Sequence, residues 1–469
     1  MSSPTLIKTG KLPAGIRYIM SNEIAERFSY YGMTAILTTF LIRQFFNPSG
    51  DASLSTVANA KSNQLVHIFF SLIYFLPIAG GIIADWFLGK YKTIWYLSLI
   101  YCLGHFLLFI FSDNINGFTA GLFCIAIGAG GIKPCVSAIV GDQFDESNKH
   151  LIPKAYALFF FCICTGAFFS QLCIPYIAGK FGYAIAFGVP GILMGIATVI
   201  FVLGKNKYKL VPPSGVKKEN FLAINLYALT HQSLKKPGER FLDVAKNKYS
   251  EETVTGVKAV WKILVFFSMV PVFYTIYNQC QSEWILQATQ LNLHFLGVNW
   301  LAEQVQSSGS IAILIFIPFF TYILFPFFEK KGIKITALDK FGAGFIATTI
   351  SMSIIYWLQL QIDKGLHPGV GWQFLSYIVL AVGELLIYQT GLEFAYTQAP
   401  ESMKSTIMAF LLLCISIGNF ILSVINGSIA SNGFFSFLHG ASYYLFFTII
   451  ITTATLFYYL IIKRSIEKK

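Results

Sequence analysis

Gly204-Lys205-Asn206-Lys207-Tyr208-Lys209-Leu210-Val211-Pro212-Pro213 opens a polar stretch, residues 205–258, in a chain of 469 residues that is 55% hydrophobic and only 12% charged. Soluble domains carry about 25% charged residues, so most of the surface of this chain is expected to face lipid. On both sides of the polar stretch the sequence breaks into apolar runs of about 20 residues, the length that crosses a bilayer. Six precede it, at about 16–46, 62–86, 93–111, 117–141, 153–178 and 182–204. Six follow, at about 259–289, 304–328, 336–362, 370–398, 402–431 and 437–463. The expectation is an all-α membrane protein of 12 transmembrane helices in two six-helix bundles, residues 1–204 and 259–469, joined by the linker 205–258.

The formal charge of +12 would point to nucleic acid on a soluble chain. Here the bases sit in loops, and orientation across a membrane accounts for them. With both termini cytoplasmic, internal segments hold 27 Lys and Arg and external loops hold three, Lys61, Lys180 and Lys364. Moving the register by one span would reverse that bias, so the positive-inside rule supports the span count and the orientation together. No nucleic-acid partner is expected. The eight Cys show no CxxC spacing and read as inert thiols, with neither a metal site nor a disulfide framework. No cleavable leader is expected.

An ionisable group at bilayer depth costs roughly 2.5–3.5 kcal/mol on insertion scales, and persists where it faces a cavity, pairs or does chemistry. The first span reads Asn22-Glu23-Ile24-Ala25-Glu26-Arg27-Phe28-Ser29-Tyr30-Tyr31-Gly32-Met33-Thr34. Positions 23, 26/27, 30/31 and 34 share a helical face, with Arg27 one turn from Glu23. A carboxylate beside a cation in a dry site is a candidate proton carrier, because its charge depends on whether the cation is engaged. In the second span His67 and Tyr74 share a face, and an intramembrane His titrates near neutrality. In the fourth, Gly128-Ala129-Gly130-Gly131-Ile132-Lys133-Pro134 combines glycines for close helix contact with a lysine at an expected proline kink. In the tenth, Glu384 stands in an apolar run, so its partner must come from another helix or from a ligand. The set is bipolar: Arg27 and Lys133 belong to one half, Glu384 to the other. A ligand between them would meet cations at one end and a carboxylate at the other, as a zwitterion such as a short peptide does.

Six plus six spans with a basic linker is the plan of the major facilitator superfamily. The turn Gly81-Ile82-Ile83-Ala84-Asp85-Trp86-Phe87-Leu88-Gly89-Lys90-Tyr91-Lys92 resembles its loop motif, in which Asp85, Lys90 and Lys92 would form a conformational latch; Glu329-Lys330-Lys331-Gly332 resembles a weaker copy. More specifically, Glu23-x-x-Glu26-Arg27-Phe28-Ser29-Tyr30-Tyr31-Gly32 resembles the first-helix motif of the proton-dependent oligopeptide transporter (POT/PTR) family. Gly131-Ile132-Lys133-Pro134 with Gly141-Asp142-Gln143-Phe144, and Gly391-Leu392-Glu393-Phe394-Ala395-Tyr396-Thr397-Gln398-Ala399-Pro400, are similar to its animal-type members. The resemblance implies a proton-coupled symporter importing di- and tripeptides by alternating access. Proton coupling would fall to Glu23, Glu26, Arg27 and His67, and substrate binding to Arg27, Tyr30, Tyr31, Tyr74, Lys133, Tyr274, Asn278, Glu384 and Tyr388.

Departures accompany the likeness. Thr34 and Asn278 replace an expected ion pair by a neutral pair. Cys164 and Gly309 stand where the family has Asn, Tyr274 and Phe410 where it has Trp, and Tyr388 where it has Ser. They support an alternative, a proton-coupled carrier of the same fold for another small solute: an amino acid derivative, a nitrate-like anion or a nucleoside. No nucleophile–base pair, metal spacing or phosphate loop suggests an enzyme. A monomer in the plasma (inner) membrane, driven by the proton gradient with no cofactor, completes the expectation.

Overall fold

The computed structural model describes residues 11–213, 215, 219–236, 238–391 and 403–463. Residues 392–400 of the Gly391–Pro400 motif, Glu393 among them, lie outside the described residues, as do Lys8, Lys217, Lys218, Arg464, Lys468 and Lys469. The first half comprises α1 (Ile16–Leu41), α2 (Ser55–Ile83), α3 (Lys90–Ile110), α4 (Ile115–Asp142), α5 (Ile152–Phe181) and α6 (Tyr183–Leu203). The linker forms α7 (Phe221–Thr230). The second half comprises α8 (Glu251–Phe267), α9 (Val270–Tyr277), α10 (Glu283–Ala288), α11 (Ser307–Pro318), α12 (Phe325–Lys330), α13 (Ala337–Asp363), α14 (Gly371–Glu384), α15 (Lys404–Ala430) and α16 (Ala441–Phe457). A helix satisfies its own backbone groups, which hydrocarbon cannot do, and this is why spans of such composition take that form.

Ten helices are long and apolar enough to cross a bilayer, and α8 with the segment Val270–Ala288, bent by 41°, makes an eleventh. Pro271, in the first turn of α9, cannot continue the ladder from α8, and the chain breaks there. Helix α1, 26 residues long, is less apolar because of its charged cluster, and its residues are mostly buried among other helices. The helices of the described residues are consistent with the twelve spans expected from the sequence.

Two large hydrophobic cores organise the described residues, with a small third cluster at Phe320, Leu385 and Leu386. One gathers residues between Ile16 and Tyr208. The other gathers residues between Phe221 and Ile462, with Ala60 reaching in from α2. The linker is divided between them. Lys209 exchanges two hydrogen bonds with the Gln143 side chain at the end of α4, whereas Phe221, Ile224, Leu242 and Ala245 are buried in the second core. Asp243 fixes this part of the linker by accepting from Lys258 of α8 at 2.5 Å, and that ammonium holds its carboxyl down at about 2. A small hairpin, β1 (His294–Phe295) and β2 (Val298–Asn299), closes the chain between α10 and α11. The eight cysteines are free.

The contact of α2 with α4 depends on what Pro134 removes. Pro134 has no N–H to give the Gly130 carbonyl, and that carbonyl lies against Gly80 so closely that a Cβ there would stand 2.3 Å from its oxygen. Gly81, the next residue, has nothing within 4 Å of that position. Despite Pro134, α4 runs as one helix. Gly80→Ala is therefore expected to lower stability by about 1–3 kcal/mol, as overpacking does, and Gly81→Ala to be neutral. Melting temperatures of the two purified variants check this; equal values would refute the packing account.

At the expected latch, Lys90 pairs with Asp142 at the end of α4, at 2.7 Å. Gly89, at φ 76°, turns the chain so that α3 starts at Lys90 beside the end of α4. Lys92 is exposed and makes no ion pair among the described residues. Asp85 lies in a π-helical segment, Ala84–Leu88.

Candidate functional site

In α1 the three charges converge inside the first core. Arg27 Nε lies 2.7 Å from Glu23 Oε1 and 3.0 Å from Glu26 Oε2, and the two carboxylate side chains are 1% and 0% exposed. The i,i+4 spacing brings Glu23 under Arg27, to which the Arg27 guanidinium donates. Glu26, only one residue away, is held by charge alone: neither of its oxygens makes a hydrogen bond among the described residues. One guanidinium thus serves two buried carboxylates.

Lys133 of α4 supplies a second cation. Its Nζ stands 4.4 Å from the Tyr30 ring centre and 4.8 Å from that of Tyr74, and it has no hydrogen-bond partner among the described residues. Cation–π attraction of about 2 kcal/mol in a desolvated site offsets part of its burial. Tyr31 packs edge-on to Tyr30, with ring centres 5.0 Å apart. Tyr74 touches both hydrophobic cores, so this end of the site borders the second half.

From that half comes the carboxylate. Glu384 ends α14, directly before the π-helical segment Leu385–Gln389 that carries Tyr388. The Tyr277 hydroxyl donates to Glu384 Oε2 at 2.6 Å, so the partner that the sequence required from another helix is Tyr277 of α9. Tyr274, buried, sets its ring 5.8 Å from that of Tyr277. Asn278 turns its amide back onto the Tyr274 carbonyl. It does not meet Thr34, whose hydroxyl instead lies 3.4 Å from Gln281 Oε1. The expected neutral pair exists with a different member, because residues 278–281 form a 3-10 turn that brings Gln281 toward α1.

His67 stands apart from the α1 cluster. It is fully buried, with Nδ1 3.1 Å from Asn419 Oδ1 and Nε2 2.8 Å from Ser282 Oγ. Asn419 commits its amide N–H to the Ile415 carbonyl, so its oxygen accepts from Nδ1. One turn earlier in α2, Asn63 donates to Glu283. One turn later, Ser71 and Ser416 bond each other at 3.0 Å. On the other flank Gln171 of α5 meets Gln306 and Ser310. Among the described residues, the side-chain hydrogen bonds between the halves lie toward the side away from the linker and close the molecule there. Glu283 and Gln281 escaped the sequence reading. A carboxylate inside an apolar span is the signal that marks Glu384, and position 283 carries the same signal.

The sequence model of the POT family matches residues 91–434. This chain belongs to the POT family. That match begins after the α1 motif. Among curated proteins, rat solute carrier family 15 member 2 is 34% identical over 412 residues, which are 83% of this chain and 55% of that protein. The chain therefore spans about half the length of the curated relatives it matches. Among solved structures, the POT family transporter PepTSo superposes with a TM-score of 0.90 at 36% identity, covering 98% of this chain and 99% of that one. An auto inhibited POT family peptide transporter follows with a TM-score of 0.87 at 32% identity, covering 96% and 97%. POT family members are membrane transporters, not enzymes, and the major facilitator fold expected from the six-plus-six plan is the fold of this chain.

Proposed function

We propose that this POT family member imports di- and tripeptides in symport with protons by alternating access, as a monomer in the plasma (inner) membrane with both termini cytoplasmic. The observation that carries the reading is the opposition of charges across Tyr74: Arg27 and Lys133 on one half, Glu384 held by Tyr277 on the other. A short peptide would place its carboxylate on the cations and its ammonium on Glu384, with Tyr30, Tyr31, Tyr274, Asn278 and Tyr388 around it. The residues 1–204 and 259–469 would be the two rocking bundles and 205–258 their cytoplasmic linker. The seam of His67, Ser282 and Asn419 would then close the outer side, and it would have to part for loading.

Proton coupling follows from the shared guanidinium. When a substrate carboxylate engages Arg27, the partner it leaves is a buried carboxylate that takes up a proton. No cofactor is invoked beyond the proton gradient. In proteoliposomes, an inward proton gradient should drive labelled dipeptide uptake, and Glu23→Gln or Glu26→Gln should spare exchange while abolishing gradient-driven uptake. Uptake indifferent to a protonophore would overturn the proposal.

A second reading, the same mechanism with another small solute, is favoured by Cys164 and Gly309 at positions where the family resemblance implies Asn, and by the neutral Thr34–Gln281 contact. Thermal-shift screening of dipeptides against amino acid derivatives, nitrate and nucleosides separates the two. If no di- or tripeptide raises the melting temperature and another solute does, the second reading replaces the first.

A further inference from the structure

On the linker side of the first half, a cavity of about 470 Å³ opens between the ends of α3 and α6 and the first residues of the linker. Its charged lining is Lys90, Lys92, Lys205 and Asp142. Lys90 is neutralised by Asp142. Lys92 and Lys205 are exposed and make no ion pair among the described residues, so the cavity keeps two uncompensated cations. Trp95 and Tyr96 of α3 and Val211 of the linker also line it. On the same two helices, Leu99 of α3 and Val199 and Leu203 of α6 are 50%, 60% and 72% exposed.

Aromatic side chains mark the level of the lipid headgroups, and unpaired lysines at that level attract anionic ones. A cavity lined by unpaired lysines, on helices that also expose apolar side chains, fits an amphiphile with a negative head. We propose that it is a binding site for an acidic phospholipid, with the phosphate between Lys92 and Lys205 and an acyl chain along α3 and α6. A zwitterionic headgroup would bring its own cation to two lysines that have no acid to spare. The bound lipid would lie against Val211, and so tie the start of the linker to the end of α3 beside the Lys90–Asp142 ion pair.

Native mass spectrometry of the full-length protein in detergent, titrated with phosphatidylglycerol or phosphatidylcholine, tests this. The wild type should retain phosphatidylglycerol in preference to phosphatidylcholine. Each of Lys92→Gln and Lys205→Gln should weaken that retention about five-fold, at about 1 kcal/mol per lysine near an anionic surface. Val211→Glu, which sets a carboxylate in the wall, should weaken it independently of either lysine. Lys61→Gln with Lys364→Gln, the same loss of charge on the far side, should leave it unchanged. The proposal falls if the lysine variants retain the lipid as the wild type does, or if the far-side variant loses as much. Displacement of the lipid by inorganic phosphate at millimolar concentration would also overturn it, because the site would then serve a soluble anion.

Discussion

Arg27→Ala is expected to produce the largest loss of stability of any single substitution in the first bundle. The guanidinium lies within 3.0 Å of two carboxylates that are 1% and 0% exposed. Breaking a buried ion pair by removing one partner costs about 3–5 kcal/mol, because the remaining charge has neither water nor a counterion. Here two carboxylates are orphaned at once, with Lys133 of α4 left as the neighbouring cation. The purified variant should melt well below the wild type and show no uptake. Glu23→Gln together with Glu26→Gln in the Arg27→Ala background should restore much of the melting temperature without restoring uptake, since neutral amides leave no orphan charge. Arg27→Lys should fold better than Arg27→Ala yet remain impaired, because a point charge cannot meet two carboxylates as a planar guanidinium does. Should Arg27→Ala melt with the wild type, the cluster is not the shared ion pair described.

The sequence made this cluster visible for a physical reason. Charge in an apolar run is a conspicuous departure from a uniform background, and the i,i+4 rule says which charges meet within one helix. The six-plus-six plan was legible on the same ground, as long apolar runs interrupted by a polar one. Pairings across distant elements were not. Lys90 finds Asp142 because Gly89 turns the start of α3 toward the end of α4, which spacing along the chain does not encode. Thr34 meets Gln281 rather than Asn278 because a 3-10 turn re-aims residues 278–281. His67 shows the limit most plainly. Its titratable ring was evident, but its partners lie 215 and 352 residues away, and they place it in the seam between the halves, not with Glu23 and Glu26. That seam joins a candidate proton site to the contacts that keep one side closed.

Glu384→Gln is expected to be the most damaging substitution for substrate binding while leaving the fold intact. Glu384 is half-buried, and its Oε2 accepts from Tyr277 at 2.6 Å, a bond that glutamine's oxygen retains. What the amide removes is the negative charge facing a peptide ammonium. Losing one member of a buried charge pair costs about 2 kcal/mol or more, on the order of 30-fold in affinity. Tyr277→Phe keeps the charge and removes only the hydrogen bond that orients it, so its loss should be smaller, about ten-fold or less. The discriminating measurement is competition by a dipeptide and by its N-acetylated form, which has no ammonium. The wild type should prefer the free dipeptide strongly, and Glu384→Gln should reduce that preference toward one by weakening the free form alone. If both forms weaken equally, the loss is one of cavity shape rather than of charge, and Glu384 does not receive the amino terminus. If neither changes, the carboxylate belongs to the packing of α14 against α9, and the bipolar reading of the site loses its second pole.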